Sequence, residues 1–391
     1  MLETIISNLQ SLGFNFRIND LDESLEVSRD KGEWQRINDT IEATIRTRWR
    51  ELDYGDTKKP SLEAMRDAYI TYADLNRYNP VKDYFKSLEG KYKPSEHGPY
   101  VVATLATYFT NPDGMFQKWL FKWMCGSLAK IYQGERNPMF VLASGQTIGK
   151  STFAKWLCPL PDHFLKSGIN PDSKDANLRL ADVLVQEVEE LGATTRRADL
   201  EALKAFITKP FIFERPPYGR HPIYKPAITS FIGTVNPDGV GFLNDPTGST
   251  RFLVCEIEAI DFGYTGLNVH DLWAEALWFY QNVPGCWQLS RDEMKQQADV
   301  NSQFEMALVL EEVCEVRLEI TRNFEDFMTT KQIQAHLLGH HSITDDQKFS
   351  RELAKVLHKK GCKQGKTAYR PGHPHLRGWY GVKKRQDEKG D

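Results

Sequence analysis

The stretch FVLASGQTIGKSTFAKWL, from Phe140 to Leu157, constrains the fold more than any other part of the chain. An apolar run, MFVLA, leads into a loop of small and polar residues, and a helical pattern opens at GKSTFAKWL. Strand, tight loop and helix start in that order describe a βα unit whose strand lies inside a sheet. The loop nearly spells G-x-x-x-x-G-K-[ST], in which backbone N–H groups and a helix N-terminus converge on phosphate oxygens. Ser144 stands where the first glycine belongs, with Gly145 beside it, and serine is small enough for the turn. The cradle is read as Ser144, Gly145, Gln146, Thr147, Ile148, Gly149, Lys150, Ser151 and Thr152. Lys150 would reach the β- and γ-phosphates of ATP, and the Ser151 hydroxyl would ligate Mg²⁺. A helix start with an accidental GKS would look similar, so the downstream sequence has to decide.

Three further elements follow in order. DVLVQEVEEL is an apolar strand ending in acids, the arrangement in which one carboxylate serves the Mg²⁺ shell and another polarises water. Glu187 is read as the first acid after the strand and is assigned the metal side, with Glu190 on the water side. The usual Asp-acid pair is absent, which leaves that division of roles open. AITSFIGTVNPDG is a strand ending at Asn236, whose amide would orient the attacking water, although Asn before Pro is also a plain turn signal. In NDPTGSTRFLVCEI, Arg251 opens a strand after a glycine-containing turn, from which a guanidinium would reach the γ-phosphate of a neighbouring subunit. The catalytic set is thus Lys150, Glu187, Glu190, Asn236 and Arg251. Between the acids and Asn236, FERPPYGRHPIYKPAIT interleaves cations and aromatics around prolines. Arg215, Tyr218, Arg220, His221, Tyr224 and Lys225 would meet phosphates and bases there, or form a rigid surface loop.

The strings VEELGATTRRADLEALKAFIT, ERPPYGR, FIGTVN, NDPTGSTRF and DLWAEALWFY together resemble the virulence-associated protein E family, over roughly residues 79 to 295. These are phage- and mobile-island-borne ATPases related to superfamily 3 helicases of the AAA+ class. The resemblance implies that the GKST cradle binds ATP and that a hairpin between the acids and Asn236 grips a DNA strand. It also implies a helicase-like role in replicating phage or island DNA, in a ring that is expected to be a hexamer. The departures are Ser144 for the first glycine and Thr147 where the family often has glycine.

The remainder of the chain sets the frame. The expected organisation is an α/β protein: an N-terminal accessory domain (1–93), a P-loop AAA+ core (94–300) and a basic winged-helix-like domain (301–391). Short continuous apolar runs separated by helical patterns mark the core as a mainly parallel sheet. Past residue 300, two helical patterns precede KTAYRPGHPHLRGWYGVKK, a strand-turn-strand candidate. From Lys348 to Arg385 twelve Lys or Arg meet one acid, Glu352, in a chain whose net charge is −3. A basic end on an acidic body is the electrostatic footprint of nucleic-acid binding. Lys359, Lys360, Lys363, Lys366, Arg370 and Arg377 are its candidate contacts.

The six cysteines are scattered without a C-x-x-C pair, as expected of reduced, buried thiols. GHH at 339–341 and HPH at 373–375 lack metal-ligand spacing. No apolar run is long enough to span a bilayer and the first residues carry no targeting signal, so the cytoplasm is expected and no membrane partner. The expected function is an ATP- and Mg²⁺-dependent DNA helicase or replication ATPase, with a replication primase or polymerase as its candidate partner. An origin-binding initiator with little unwinding, or a nucleotide-dependent interference or virulence switch, are the alternatives.

Overall fold

The computed structural model describes residues 2–30, 32–55, 58–94, 100–145, 147–189, 197–215, 222–236, 250–321, 323, 325–337, 347–366 and 376–385. At 197–201, 302–309, 311–312, 347–348 and 351–352 only the backbone is described.

Alternation of apolar and polar residues builds the first unit. Helix α1 (Leu2–Ser11) precedes strands β1 (Phe14–Asn19), β2 (Leu25–Arg29) and β3 (Trp34–Arg36), then α2 (Asp39–Glu51), α3 (Leu62–Leu75) and β4 (Arg77–Tyr78). The sheet runs β3-β2-β1-β4. Phe14, Phe16 and Ile18 recur every second residue on β1, and they pack on Ile5, Leu9, Trp49 and Tyr69 from the helices.

The middle unit holds α4 (Pro80–Leu88), α5 (Tyr100–Ala106), β5 (Phe109–Thr110), α6 (Phe116–Gln133), β6 (Met139–Ala143), α7 (Lys150–Leu157), β7 (Phe164–Lys166), α8 (Lys174–Arg179) and β8 (Val185–Val188). It continues through α9 (Arg197–Ile207), β9 (Phe211–Glu214), β10 (Ile223–Pro226), β11 (Ser230–Val235), β12 (Phe252–Glu256), β13 (Ala259–Ile260) and α10 (Val269–Asn282). Five strands form one parallel sheet in the order β12-β6-β11-β8-β7. Parallel strands need helices on both faces, and the alternation along β6 serves both. Phe140 and Leu142 face α6, α7 and α10, whereas Met139, Val141 and Ala143 face the side covered by Leu203, Phe206 and Ile207 of α9. Trp119 and Trp123 on α6 are fully buried, and the Trp123 indole donates to Phe231 O at 3.0 Å. Val81, Phe85 and Leu88 of α4 belong to this core and not to that of the first unit.

Helix α11 (Arg291–Arg317) starts with a reciprocal cap between Ser290 and Glu293. Gln297 and Asn301 donate to Phe252 O of the middle unit, and Leu310, Val313 and Cys314 enter the core of the last one, so the helix serves both. That last unit adds β14 (Leu318–Ile320), β15 (Phe327–Thr329), α12 (Thr330–Leu337), α13 (Gln347–Lys359), β16 (Lys363–Lys366), β17 (Arg377–Tyr380) and β18 (Val382–Lys384). Its antiparallel sheet runs β15-β17-β16, with β14 paired to β18. Phe349, Leu353, Leu357 and Trp379 fill the space between helices and strands. All six cysteines are buried and none is in a disulfide. Among the described residues no helix is long and apolar enough to cross a membrane.

Candidate functional site

The carboxyl ends of β6, β8 and β11 lie side by side, so the residues that leave them share one crevice. The chain leaves β6 at Ser144, whose N–H donates to Val235 O at 3.0 Å across the sheet. Among the described residues of the loop, two take left-handed backbone: Thr147 at φ +63° and Gly149 at φ +102°. Threonine is β-branched and pays for that conformation with strain, while Gly149 adopts one that side chains avoid. Left-handed residues set among right-handed ones are the backbone pattern that can turn successive N–H groups to one side. Helix α7 begins at once, Phe153 N–H donating to Gly149 O at 3.0 Å.

Lys150 folds back into this loop. Its ammonium donates to Ser144 O (2.8 Å), Ser144 Oγ (2.7 Å), Gly145 O (3.0 Å) and Val235 O (3.2 Å). Ser144, the departure from the glycine pattern, therefore has a use: its hydroxyl receives the lysine. Partial burial holds the Lys150 pKa below the usual lysine range.

Glu187 lies inside β8, its third residue, and not after the strand as its place in the sequence suggests. It is completely buried, and neither carboxylate oxygen has a hydrogen-bond partner. Burial drives its pKa up, while the nearby Ser151 hydroxyl and Lys166 act in the opposite direction. Ser151, Thr152, Lys155, Trp156, Lys166 and Glu187 line a common cavity of about 570 Å³. A buried carboxylate left unpaired beside a hydroxyl is costly unless something of opposite charge joins it. One hydroxyl and one carboxylate, both hard oxygen donors, fit Mg²⁺, which otherwise keeps waters and takes phosphate oxygens. Asn236 follows β11 directly, one strand from each neighbour.

Arg251 is at the other end of the sheet. Its carbonyl accepts from Met139 N–H at 2.8 Å, which places it at the amino ends of β12 and β6. A five-residue strand at about 3.3 Å per residue puts roughly 15 Å between it and the loop. With Glu135, Arg136, Thr208, Trp287 and Met294 it lines a separate cavity of about 600 Å³.

Among the described residues, strands β9 and β10 pair only with each other, as a ribbon. Phe213 (67% exposed) and Tyr224 (65%) lie open on it, and Phe211 stacks on Tyr224 at 5.1 Å and 15°. Arg215 follows β9 and is exposed. Lys225 is not open: its ammonium reaches the Asp20 carbonyl and the Glu23 carboxylate of the first unit, which Arg77 also holds at 2.9 Å. Lys360 pairs with Glu315 at 2.7 Å, and Lys359 ends α13. Lys366 stands directly opposite Arg377 between β16 and β17, with Lys363 three residues earlier on the same strand. Gln146, Glu190, Tyr218, Arg220, His221, Arg370 and both histidine clusters lie outside the described residues. Among the described residues no group of three His, Cys, Asp or Glu is placed to hold a metal ion.

Several residues at these sites carry no sequence signal: Arg136 beside Arg251, Lys166 beside Glu187, and the exposed Phe213. Neighbours across a parallel sheet are far apart in the chain, and only the strand order brings them together.

A mixed α/β protein with a parallel sheet and a crevice at its carboxyl edge is the class defined so far. The virulence-associated protein E-like domain matches residues 95–306, more than half of the chain, and the chain belongs to that family. The A form apo structure of the NrS-1 C-terminal region is similar at 14% identity, covering 96% of this chain and 98% of that one, with a TM-score of 0.47. The apo structure of the NrS-1 C-terminal region (305–718) is similar at 15% identity over the same shares, with a TM-score of 0.45. No curated protein matches.

Proposed function

We propose that this chain is an ATP-dependent DNA helicase or replication ATPase of a phage or mobile genetic island, acting as a ring with nucleotide at its subunit junctions. The observation that carries the reading is the buried, unpartnered Glu187 carboxylate facing Ser151 beside a strained loop that holds Lys150. In this reading Ser151 and Glu187 hold Mg²⁺, which supplies charge neutralisation on the β- and γ-phosphates when bound. Lys150 exchanges loop carbonyls for phosphate oxygens. Glu190 polarises the attacking water and Asn236 orients it. Arg251 is too far from its own loop, so it completes the site of the next subunit. The last unit is read as winged-helix-like, and its role is to bind DNA. Like charges directly opposite in a sheet repel, so the Lys366–Arg377 pair favours a phosphate between them.

The test is Lys150→Ala. The variant is expected to fold, since the ammonium is only half-buried, and to lose measurable ATP hydrolysis. Undiminished turnover in the purified variant would remove the phosphate-loop assignment.

A further inference from the structure

Phe262 has no place in the reading so far. It opens a single turn of tight helix, Phe262–Gly266, after β13. That turn is fixed at its amino end and by its buried middle residue. The Asp261 carboxylate accepts from Gly263 N–H at 2.8 Å, and Asp261 N–H donates to Tyr108 O at 2.8 Å. Tyr264 is fully buried, its ring 5.0 Å from Trp156 and 5.6 Å from Phe153 of α7. Anchored this way, the turn throws Phe262 outward, 49% exposed, across the lip of the loop. Its ring abuts Gly149 so closely that a Cβ there would lie 2.5 Å from Cζ and 3.0 Å from Cε1. Gly149 is thus confined to glycine twice, by its φ of +102° and by this ring. Thr265 of the same turn lines the cavity that holds Ser151 and Glu187.

A rigid aromatic left half in water forfeits burial that a core position would supply. A ring held in advance beside a ligand site, by contrast, loses little freedom when the ligand arrives. We propose that Phe262 is the platform on which the nucleobase of a purine nucleoside triphosphate stacks, with its phosphates in the loop. The proposal rests on the phosphate-loop reading above. A phenyl face recognises a π surface and carries no hydrogen-bonding group. It therefore separates purines from pyrimidines by stacking area and does not tell adenine from guanine.

The experiment is calorimetric binding to the full chain, with Mg²⁺, of ATP, GTP, CTP and inorganic tripolyphosphate, for the wild type, Phe262→Ala and Phe262→Trp. Loss of one base-stacking contact predicts about a tenfold loss of ATP and GTP affinity in Phe262→Ala. Tripolyphosphate should bind that variant as it binds the wild type, and Phe262→Trp should retain the purine affinities. CTP should bind the wild type more weakly than either purine. Unchanged ATP affinity in Phe262→Ala overturns the platform, and so does an equal loss for tripolyphosphate, which would make the ring a prop for the loop. Tighter binding of every ligand would also overturn it, by making the ring a plug. If the wild type binds tripolyphosphate, those outcomes concern Phe262 alone. If it binds none of the four, the phosphate-loop reading fails and the platform with it.

Discussion

At the carboxyl end of the central sheet, β6, β11 and β8 lead to Lys150, Asn236 and Glu187 in one crevice; at the amino end, Arg251 before β12 and Arg136 before β6 line a separate cavity. The first end is held in an expensive state, with left-handed Thr147 and a carboxylate whose burial outweighs the help of Ser151 and Lys166. The second groups Arg136 and Arg251 with Glu135 in the lining of one cavity. Costly arrangements persist only where the surrounding fold over-determines them. Backbone strain and a buried carboxylate are thus gathered at the carboxyl end of the sheet, and Arg251 stands at the opposite end from both.

The largest expected effect tests the division of labour between the two ends. Arg251→Ala should still bind nucleotide yet lose about 10³-fold in hydrolysis. Mixed with Lys150→Ala it should regain some activity, because a junction between the intact Arg251 of one subunit and the intact Lys150 of another is restored. If mixed assemblies form and no ratio gives rescue, the two ends serve the same subunit or Arg251 is structural.

Glu187→Gln separates cost from use. Hydrolysis should fall by roughly 10²-fold or more if the carboxylate serves Mg²⁺. Without nucleotide the same variant should melt higher by about 2–4 °C at pH 8. The sign follows from the raised pKa of Glu187 in the folded chain. The native state holds that proton more tightly than the unfolded chain, so stability falls as pH rises from about 4.5 through the folded pKa. The advantage of the variant should therefore shrink towards pH 4.5. A lower melting temperature at pH 8 would mean that the carboxylate stabilises the fold.

The smallest effect concerns DNA. Removing residues 348–391 would also remove Phe349, Leu353, Trp379 and Val382 from a core, so substitution is the cleaner probe. Lys366→Gln with Arg377→Gln should reduce the log–log salt slope of DNA binding by about 1.5 units and leave basal ATPase intact. An unchanged slope would make the pair an ordinary solvated surface.

Local sequence carried the loop well. The apolar run ends with β6 at Ala143 and the helical pattern opens with α7 at Lys150, and Asn236 sits just past β11, where its apolar run ends. Glu187 was harder to place, because an acid within an apolar run reads as the end of a strand. In β8 both faces are covered, and the carboxylate is buried in mid-strand. Lys225 read as a free cation because its partners Asp20 and Glu23 lie 200 residues away. Phe262 showed no pattern at all, since a single turn has no periodicity. What escaped the sequence was long-range electrostatics and the meeting of distant loops, not the order of the elements.

One pairing described above joins the two ends. Strands β6 and β12 run together from Arg251, bonded to Met139, as far as Ile257, bonded to Ala143 beside the loop. A ladder of hydrogen bonds with apolar cover on both faces is a stiff beam, not a hinge. If the ring reading holds, a tug on Arg251 from an occupied neighbouring site would arrive at Ser144 as rigid displacement. Each subunit would then work as a short strut between two pockets, and the timing of one hydrolysis would pass to the next without any segment unfolding.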